Sequence, residues 1–147
     1  MPVQGVFAEV LSSGTIQTGS MMTVEFPAKD RPFTAAVITM SDKGSKGERK
    51  DESGPAMKEG LTAAGFDVVE ELILPDEKAL LKKELIRLCD QRQVSLILTS
   101  GGTGFSERDT TPEATMEVMT RNAPWIAEAI RAESMKYTKR AMLSRGA

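Results

Sequence analysis

Residues 94–112, which read VSLILTSGGTGFSERDTTP, constrain the fold more tightly than any other stretch of the chain. An apolar, β-branched run (Val94, Leu96, Ile97, Leu98) enters a turn with three glycines in four positions, Gly101, Gly102 and Gly104. Ser100, Thr103 and Ser106 supply hydroxyls, Arg108 and Asp109 follow with opposite charges, and Thr110-Thr111-Pro112-Glu113 opens a helix as a capping box. Strand, glycine loop and helix N-terminus in succession suit an anion, because the loop amides can turn inward and the helix dipole adds positive potential. Asp109 is then a candidate ligand for the magnesium that accompanies a nucleotide. The pattern points to chemistry on phosphates.

From Phe33 onward, strand and helix patterns alternate. Residues 34–40 (TAAVITM) form a nearly all-apolar strand of the kind buried on both faces. Residues 41–53 are polar and rich in charge and glycine, which predicts a mobile loop. Gly54-Pro55 then begins a helix with Met57, Leu61 and Ala64 on one face and Gly65 as its stop. Residues 66–74 predict a second strand, ended by Pro75-Asp76, and residues 77–92 a long helix with Leu81, Leu85 and Leu88 on its inner stripe. Cys89 falls four residues after Leu85 and is expected on that apolar side as a buried thiol. After the third strand a helix is expected over 112–121, a break at Asn122-Ala123-Pro124, and a helix over 125–137 that buries Ile126, Ile130 and its alanines. A last turn covers 139–143. Such alternation predicts an α/β fold, a three-layer α/β/α sandwich around a mainly parallel sheet, with its ligand site at the carboxyl ends of the strands. Residues 1–30 read instead as a β-rich extension, with short strands over 6–10, 15–17 and 21–26, turns at Ser12-Ser13-Gly14 and Thr18-Gly19-Ser20, and a linker over 27–32.

Composition removes several function classes. Histidine is absent, so there is no Ser-His-Asp triad, no imidazole base and no ordinary histidine zinc site. A net charge of −2 argues against nucleic-acid binding, which shows as a clustered basic excess. One cysteine cannot form an internal disulfide. No stretch approaches the length of a membrane span and no signal-peptide pattern opens the chain, so the expected location is the cytoplasm.

Two loops at strand ends carry the reactive residues: Ser41-Asp42-Lys43-Gly44 with Asp51-Glu52-Ser53-Gly54, and the glycine loop with Arg108-Asp109. Should their strands be neighbours, Asp51 and Asp109 would face one cavity, two carboxylates near bound phosphates as magnesium-assisted transfer requires. Plainer readings stand beside this one. A glycine cluster after a strand can be only a tight turn. Asp51 can sit in solvent among Lys46, Glu48, Arg49 and Lys50, and Arg108–Asp109 can be a surface pair. Trp125, the only tryptophan, reads as a core or interface residue. Neither standard phosphate motif is present, so spacing alone supports an anion or nucleotide site.

The run Thr99-Ser100-Gly101-Gly102-Thr103-Gly104-Phe105-Ser106, then Arg108-Asp109, then Thr111-Pro112-Glu113-Ala114-Thr115 resembles the signature of the MogA/MoaB family of molybdenum cofactor biosynthesis. Ile38-Thr39-Met40-Ser41-Asp42, Asp51-Glu52-Ser53-Gly54-Pro55 and Met142-Leu143-Ser144-Arg145-Gly146 resemble three further segments of that family. The resemblance covers residues 31–147. It implies a three-layer fold, usually trimeric, and the reaction of molybdopterin with Mg-ATP to give adenylylated molybdopterin and pyrophosphate. By family position, Asp51 and Asp109 bind magnesium and orient the reactants. Ser100, Gly101, Gly102, Thr103 and Gly104 hold phosphate or nucleotide, Ser41, Asp42, Ser53 and Gly54 line the same pocket, and Ser144 and Arg145 touch the pterin side.

Two departures accompany the resemblance. The family continues beyond the position of Ala147 through another strand, a loop and a helix, so a truncated domain is expected. Gly5-Val6-Phe7-Ala8-Glu9-Val10, Gly14-Thr15-Ile16 and Gly19 resemble the closing strands of a MOSC domain. Alternatives to the transferase are a non-catalytic pterin-binding or scaffold protein of the same fold, and a nucleotide hydrolase built on the related domain of competence-damage proteins.

Overall fold

The structure, a computed structural model, describes residues 14, 15, 17–21 and 32–147. The chain divides into two units, Met1–Arg31 and Pro32–Ala147. In the first, the expected turn at Thr18-Gly19 is present: the Ser20 N–H donates to the Gln17 carbonyl (3.0 Å), and Gly19 takes φ +93°. The strands expected over 6–10, 15–17 and 21–26, the turn at Ser12-Ser13-Gly14 and the linker over 27–32 lie wholly or partly outside the described residues.

The second unit is built around β1 (Thr34–Met40), whose residues Ala35, Ala36, Val37 and Ile38 are fully buried. Side chains alternate across a strand, so β1 feeds two cores at once. Ala35 and Val37 meet Leu61 of α2 (Ser53–Ala63) on one face. Ala36, Ile38 and Met40 meet Leu81, Leu85, Leu88 and Ala114 on the other. Those partners come from α3 (Lys78–Ile86), from the π-helical turn Arg87–Gln91 that continues it, and from α4 (Thr111–Val118). Each fully buried Val, Leu or Ile contributes about 1.5–3 kcal/mol, so this strand is the mechanical centre of the domain. The three layers expected from the alternation are therefore present.

β1 pairs in parallel with β2 (Asp67–Leu74) and with β3 (Leu96–Ser100), giving the order β2-β1-β3. Thr39 stands opposite Ile73 and Ser100, so all three strands end together. That register brings the three following loops to one edge of the sheet.

Four expectations need correction. Part of the 41–53 loop is ordered as a short helix, α1 (Asp42–Ser45), because the Ser41 hydroxyl accepts the Gly44 N–H (3.0 Å). Cys89 is exposed. At about 100° per residue, Leu81, Leu85 and Leu88 fall within one narrow stripe, whereas Cys89 lies on its flank. The capping box at α4 does not form: Thr110 makes no side-chain cap bond, and the Glu113 carboxylate turns to Arg145. Finally, α5 (Pro124–Ser134) buries none of its residues, and Ile126 and Ile130 are 66% and 61% exposed. It packs beside the 3-10 turn Lys139–Leu143. Its apolar side looks across a cavity at the open edge of β3, and among the described residues no element fills that space. No helix among the described residues is long and apolar enough to cross a membrane.

Candidate functional site

The site forms where β1, β2 and β3 end together. Two cavities meet there. The smaller, about 200 Å³, is walled by Ser41, Asp51, Ser53, Ser100 and Gly101, with Arg49 and Lys50 at its side. The larger, about 510 Å³, runs between β3 and α5 and includes Thr103, Thr111 and Ser144. Ser100 and Gly101 belong to both, so the first step of the glycine loop is the partition between them.

Gly101 is required by contact as well as by conformation. Its φ is +93°, and a Cβ there would fall 2.2 Å from the Met40 carbonyl oxygen. Gly102 follows at φ +62°, with the Thr111 hydroxyl 2.4 Å from where its Cβ would be. These two residues press the loop flat against the end of β1 and the start of α4.

The two candidate catalytic carboxylates are each held by backbone amides. Asp51 accepts the Ser53 N–H (2.9 Å), the Gly54 N–H (3.2 Å) and the Thr39 hydroxyl (2.9 Å). It therefore caps α2 while tying that helix to β1. Gly54 has no side chain because a Cβ would lie 2.5 Å from the Asp51 carboxylate. Asp109 accepts the Ser106 N–H (2.8 Å). Its carboxyl is held below the usual carboxylate range chiefly by Ser106, through hydroxyl and N–H, against an opposing effect of burial and with lesser help from the Gly104 backbone and the Arg145 charge. The Ser106 amide thus points at Asp109 rather than at an open anion site, and Gly104 abuts the same carboxylate. Asp51 lines the smaller cavity, whereas Asp109 lines neither, so the expected single cavity faced by both carboxylates is not what the structure places here.

Asp42 lies outside both cavities and organises a different contact. Arg108 grips its carboxylate with two hydrogen bonds, of 2.9 and 2.6 Å. The expected surface pair is therefore replaced: Arg108 reaches across to Asp42, and Asp109 turns into its own loop. Arg108 holds the Asp42 carboxyl below its ordinary range. Asp76 completes the group, since the Asp42 N–H donates to Asp76 (3.0 Å) and the Asp76 N–H donates back to Asp42 (3.1 Å). Sequence reading treated Pro75-Asp76 only as the end of a strand. The missed signal was positional: Asp76 follows β2 as Asp42 follows β1, and ligand sites gather at such ends. Arg49 and Lys50, read as solvated charges, were missed in the same way.

Ser144 and Arg145 reach the site from the far end of the domain. The Ser144 hydroxyl is 3.5 Å from that of Thr103, and the Arg145 N–H donates to the Thr103 carbonyl (3.0 Å). The Arg145 guanidinium bonds the Gly104 and Asp109 carbonyls and pairs with Glu113.

No three Asp, Glu, Cys or His side chains gather at one point among the described residues. The donor set therefore does not cage a metal by itself. It fits a magnesium ion that arrives with phosphate oxygens and needs only one or two carboxylates from the protein, and the ionised Asp109 and the cavity-lining Asp51 are of that kind.

Residues 36–147 match the family described as a probable molybdopterin binding domain. The chain is 42% identical over 111 residues to the molybdopterin adenylyltransferase of Helicobacter pylori strain J99, covering 74% of this chain and 63% of that one. It is 38% identical over 112 residues to the molybdopterin adenylyltransferase of Escherichia coli K12, covering 74% and 57%. The chain thus spans about 57–63% of the length of these two relatives. Among solved structures, the molybdopterin biosynthesis enzyme MoaB of Thermus thermophilus superposes with a TM-score of 0.72 at 42% identity, covering 77% of this chain and 71% of that one. On its parallel sheet, its glycine loop and these matches, the chain belongs to the probable molybdopterin binding domain family of molybdenum cofactor biosynthesis.

Proposed function

We propose that this domain transfers an adenylyl group from ATP to the terminal phosphate of molybdopterin. A phosphate oxygen of the pterin attacks the α-phosphorus of ATP, a new P–O–P link forms, the bond to the β-phosphate breaks, and pyrophosphate leaves with the electron pair. The observation that carries this reading is the pair of cavities sharing Ser100 and Gly101, which suits two phosphate-bearing ligands meeting at one point. The smaller cavity, with the cations of Arg49 and Lys50 and the hydroxyls of Ser41 and Ser53, suits the triphosphate. The larger, with apolar β3 side chains and the Thr103 and Ser144 hydroxyls, suits the pterin. Being named adenylyltransferases, the relatives add support.

In this reading Asp51, lining the smaller cavity, would hold the magnesium of Mg-ATP, which would neutralise phosphate charge, and Asp109 would act from the adjoining glycine loop, outside both cavities. Thr103 would donate its hydroxyl to phosphate, and Gly101, Gly102 and Gly104 let the loop close against Met40, Thr111 and Asp109 so that Ser100 and Gly101 stand between the two cavities. Asp42, with Arg108 and Asp76, fixes the floor shared by the three strand ends, and Gly54 leaves room for the Asp51 carboxylate. The working protein is a cytoplasmic homotrimer that binds neither nucleic acid nor membrane.

The test is adenylyl transfer with molybdopterin, ATP and magnesium, following pyrophosphate release and the adenylylated pterin. Asp109→Asn should depress turnover by about 10²-fold or more while pterin binding is retained. Equal loss of both would remove the proposed role. Pterin binding without turnover by the unaltered chain would favour the scaffold.

A further inference from the structure

Arg145 is drawn into the molecule rather than toward a ligand. Its N–H donates to the Thr103 carbonyl (3.0 Å) and its Nε to the Gly104 carbonyl (2.6 Å). One terminal nitrogen donates to the Asp109 carbonyl (2.5 Å), the other pairs with Glu113, and the guanidinium carbon stands 5.6 Å from the centre of the Phe105 ring. Thr103 and Gly104 are one limb of the glycine loop, and Asp109 is the other. Arg145 therefore closes the neck of residues 105–108 and fastens it to the first turn of α4.

The direction of these bonds matters. A trans peptide sends its carbonyl and the next N–H opposite ways. With the Thr103 carbonyl drawn to Arg145, the Gly104 N–H turns away from it, toward the side where the Asp109 carboxylate accepts the Ser106 N–H and abuts Gly104, whose Cβ would lie 2.8 Å from it. Arg145 on one side and the Asp109 carboxylate on the other share out the polar groups of one short loop, and neither arrangement is complete without the other.

We infer that Arg145 is a positioning residue that latches the glycine loop and aims Asp109, rather than a contact to the pterin. Lysine cannot replace it, since one ammonium on a flexible stem does not reproduce a planar fork that reaches two carbonyls and a carboxylate together. The inference uses the adenylyl-transfer reading only for its kinetic arm.

Hydrogen exchange of the full chain without substrates supplies the first arm. Arg145→Lys should speed exchange of amides in 102–110 by about tenfold or more, with β1 amides unchanged as the control for folding. If β1 amides are released as well, Glu113→Ala takes its place, since it removes the acceptor of one limb of the guanidinium and leaves both carbonyls bound. It must then raise loop exchange several-fold, and no rise would overturn the inference. In the kinetic arm, Arg145→Lys should lower kcat by about 10²-fold, as a misplaced group does, with KM for ATP and for the pterin within about twofold. Unchanged loop exchange, or a raised pterin KM at wild-type kcat, would overturn the latch and return Arg145 to the role of a substrate contact. Wild-type chain that fails to turn over while its exchange pattern behaves as expected would sink the adenylyl-transfer reading and leave the latch standing.

Discussion

Replacing Gly101 by alanine tests the tightest of the described glycine positions. The new Cβ would lie 2.2 Å from the Met40 carbonyl oxygen and 3.2 Å from its carbon. Met40 is 5% exposed and ends the central strand, which is paired on both sides, so its carbonyl has nowhere to retreat. The φ of +93° at Gly101 adds strain, which for an L-residue in left-handed backbone is about 1–2 kcal/mol. Moving backbone to relieve the overlap costs ~1–3 kcal/mol more, so Gly101→Ala should destabilise the domain by about 2–5 kcal/mol. Gly60 is the matched control: it lies in α2, and a Cβ there would meet nothing within 4 Å. There alanine should stabilise by about 0.5–1 kcal/mol. Urea unfolding followed by circular dichroism reads both. With a mid-range slope of about 2 kcal/mol per molar urea, Gly101→Ala should lower the midpoint by roughly 1–2.5 M and Gly60→Ala should raise it by a few tenths. A Gly101→Ala midpoint within a few tenths of wild type would show that the loop and the end of β1 do not abut.

Two further outcomes follow from charge and burial. Lys78 and Lys82 hold the Glu117 carboxyl down at about 2, below an ordinary value of 4.5. A depressed carboxylate stabilises the fold fully above its unfolded pKa, and the contribution fades as pH falls from 4.5 toward about 2. Wild type should therefore lose thermal stability faster than Glu117→Gln across that window, and parallel curves would count against the pairing. Burial first, and Asp90 second, push the Cys89 thiol above its ordinary value, yet the residue is exposed. A disulfide reagent should accordingly label native protein to completion, slowly at neutral pH and faster as pH rises, whereas labelling that waits for urea would place the thiol in the core.

The layers of the fold were legible because apolar period reports burial directly. The run 34–40 announced a strand covered on both faces, the run 94–99 an apolar strand leading into the glycine loop, and Leu81, Leu85 and Leu88 one helix stripe. The same rule misled at α5. Ile126 and Ile130 have helical spacing, but spacing says only that a face is apolar, not that another element stands opposite it. The site was legible as a list of residue types and illegible as a set of contacts. Glu113 fitted a capping box and Arg108 stood beside Asp109, yet both bond residues distant in sequence, Arg145 and Asp42. Side chains choose among partners that only the closed fold supplies, and local spacing cannot rank those choices. Asp76 was overlooked because its importance comes from the shared end point of three strands, which is a property of register rather than of composition.

The latch joins residues 41 positions apart, Gly104 and Arg145, and this separation has a consequence for synthesis. A nascent chain leaves the ribosome N-terminus first and folds as its parts emerge. The β2-β1-β3 sheet and its two cores can assemble before Arg145 has been translated. At that stage the glycine loop has its glycines and Asp109 but nothing across its neck. The order of appearance thus separates acquiring a fold from acquiring a fixed site, and a growing chain with β3 already docked is still without the geometry that aims Asp109.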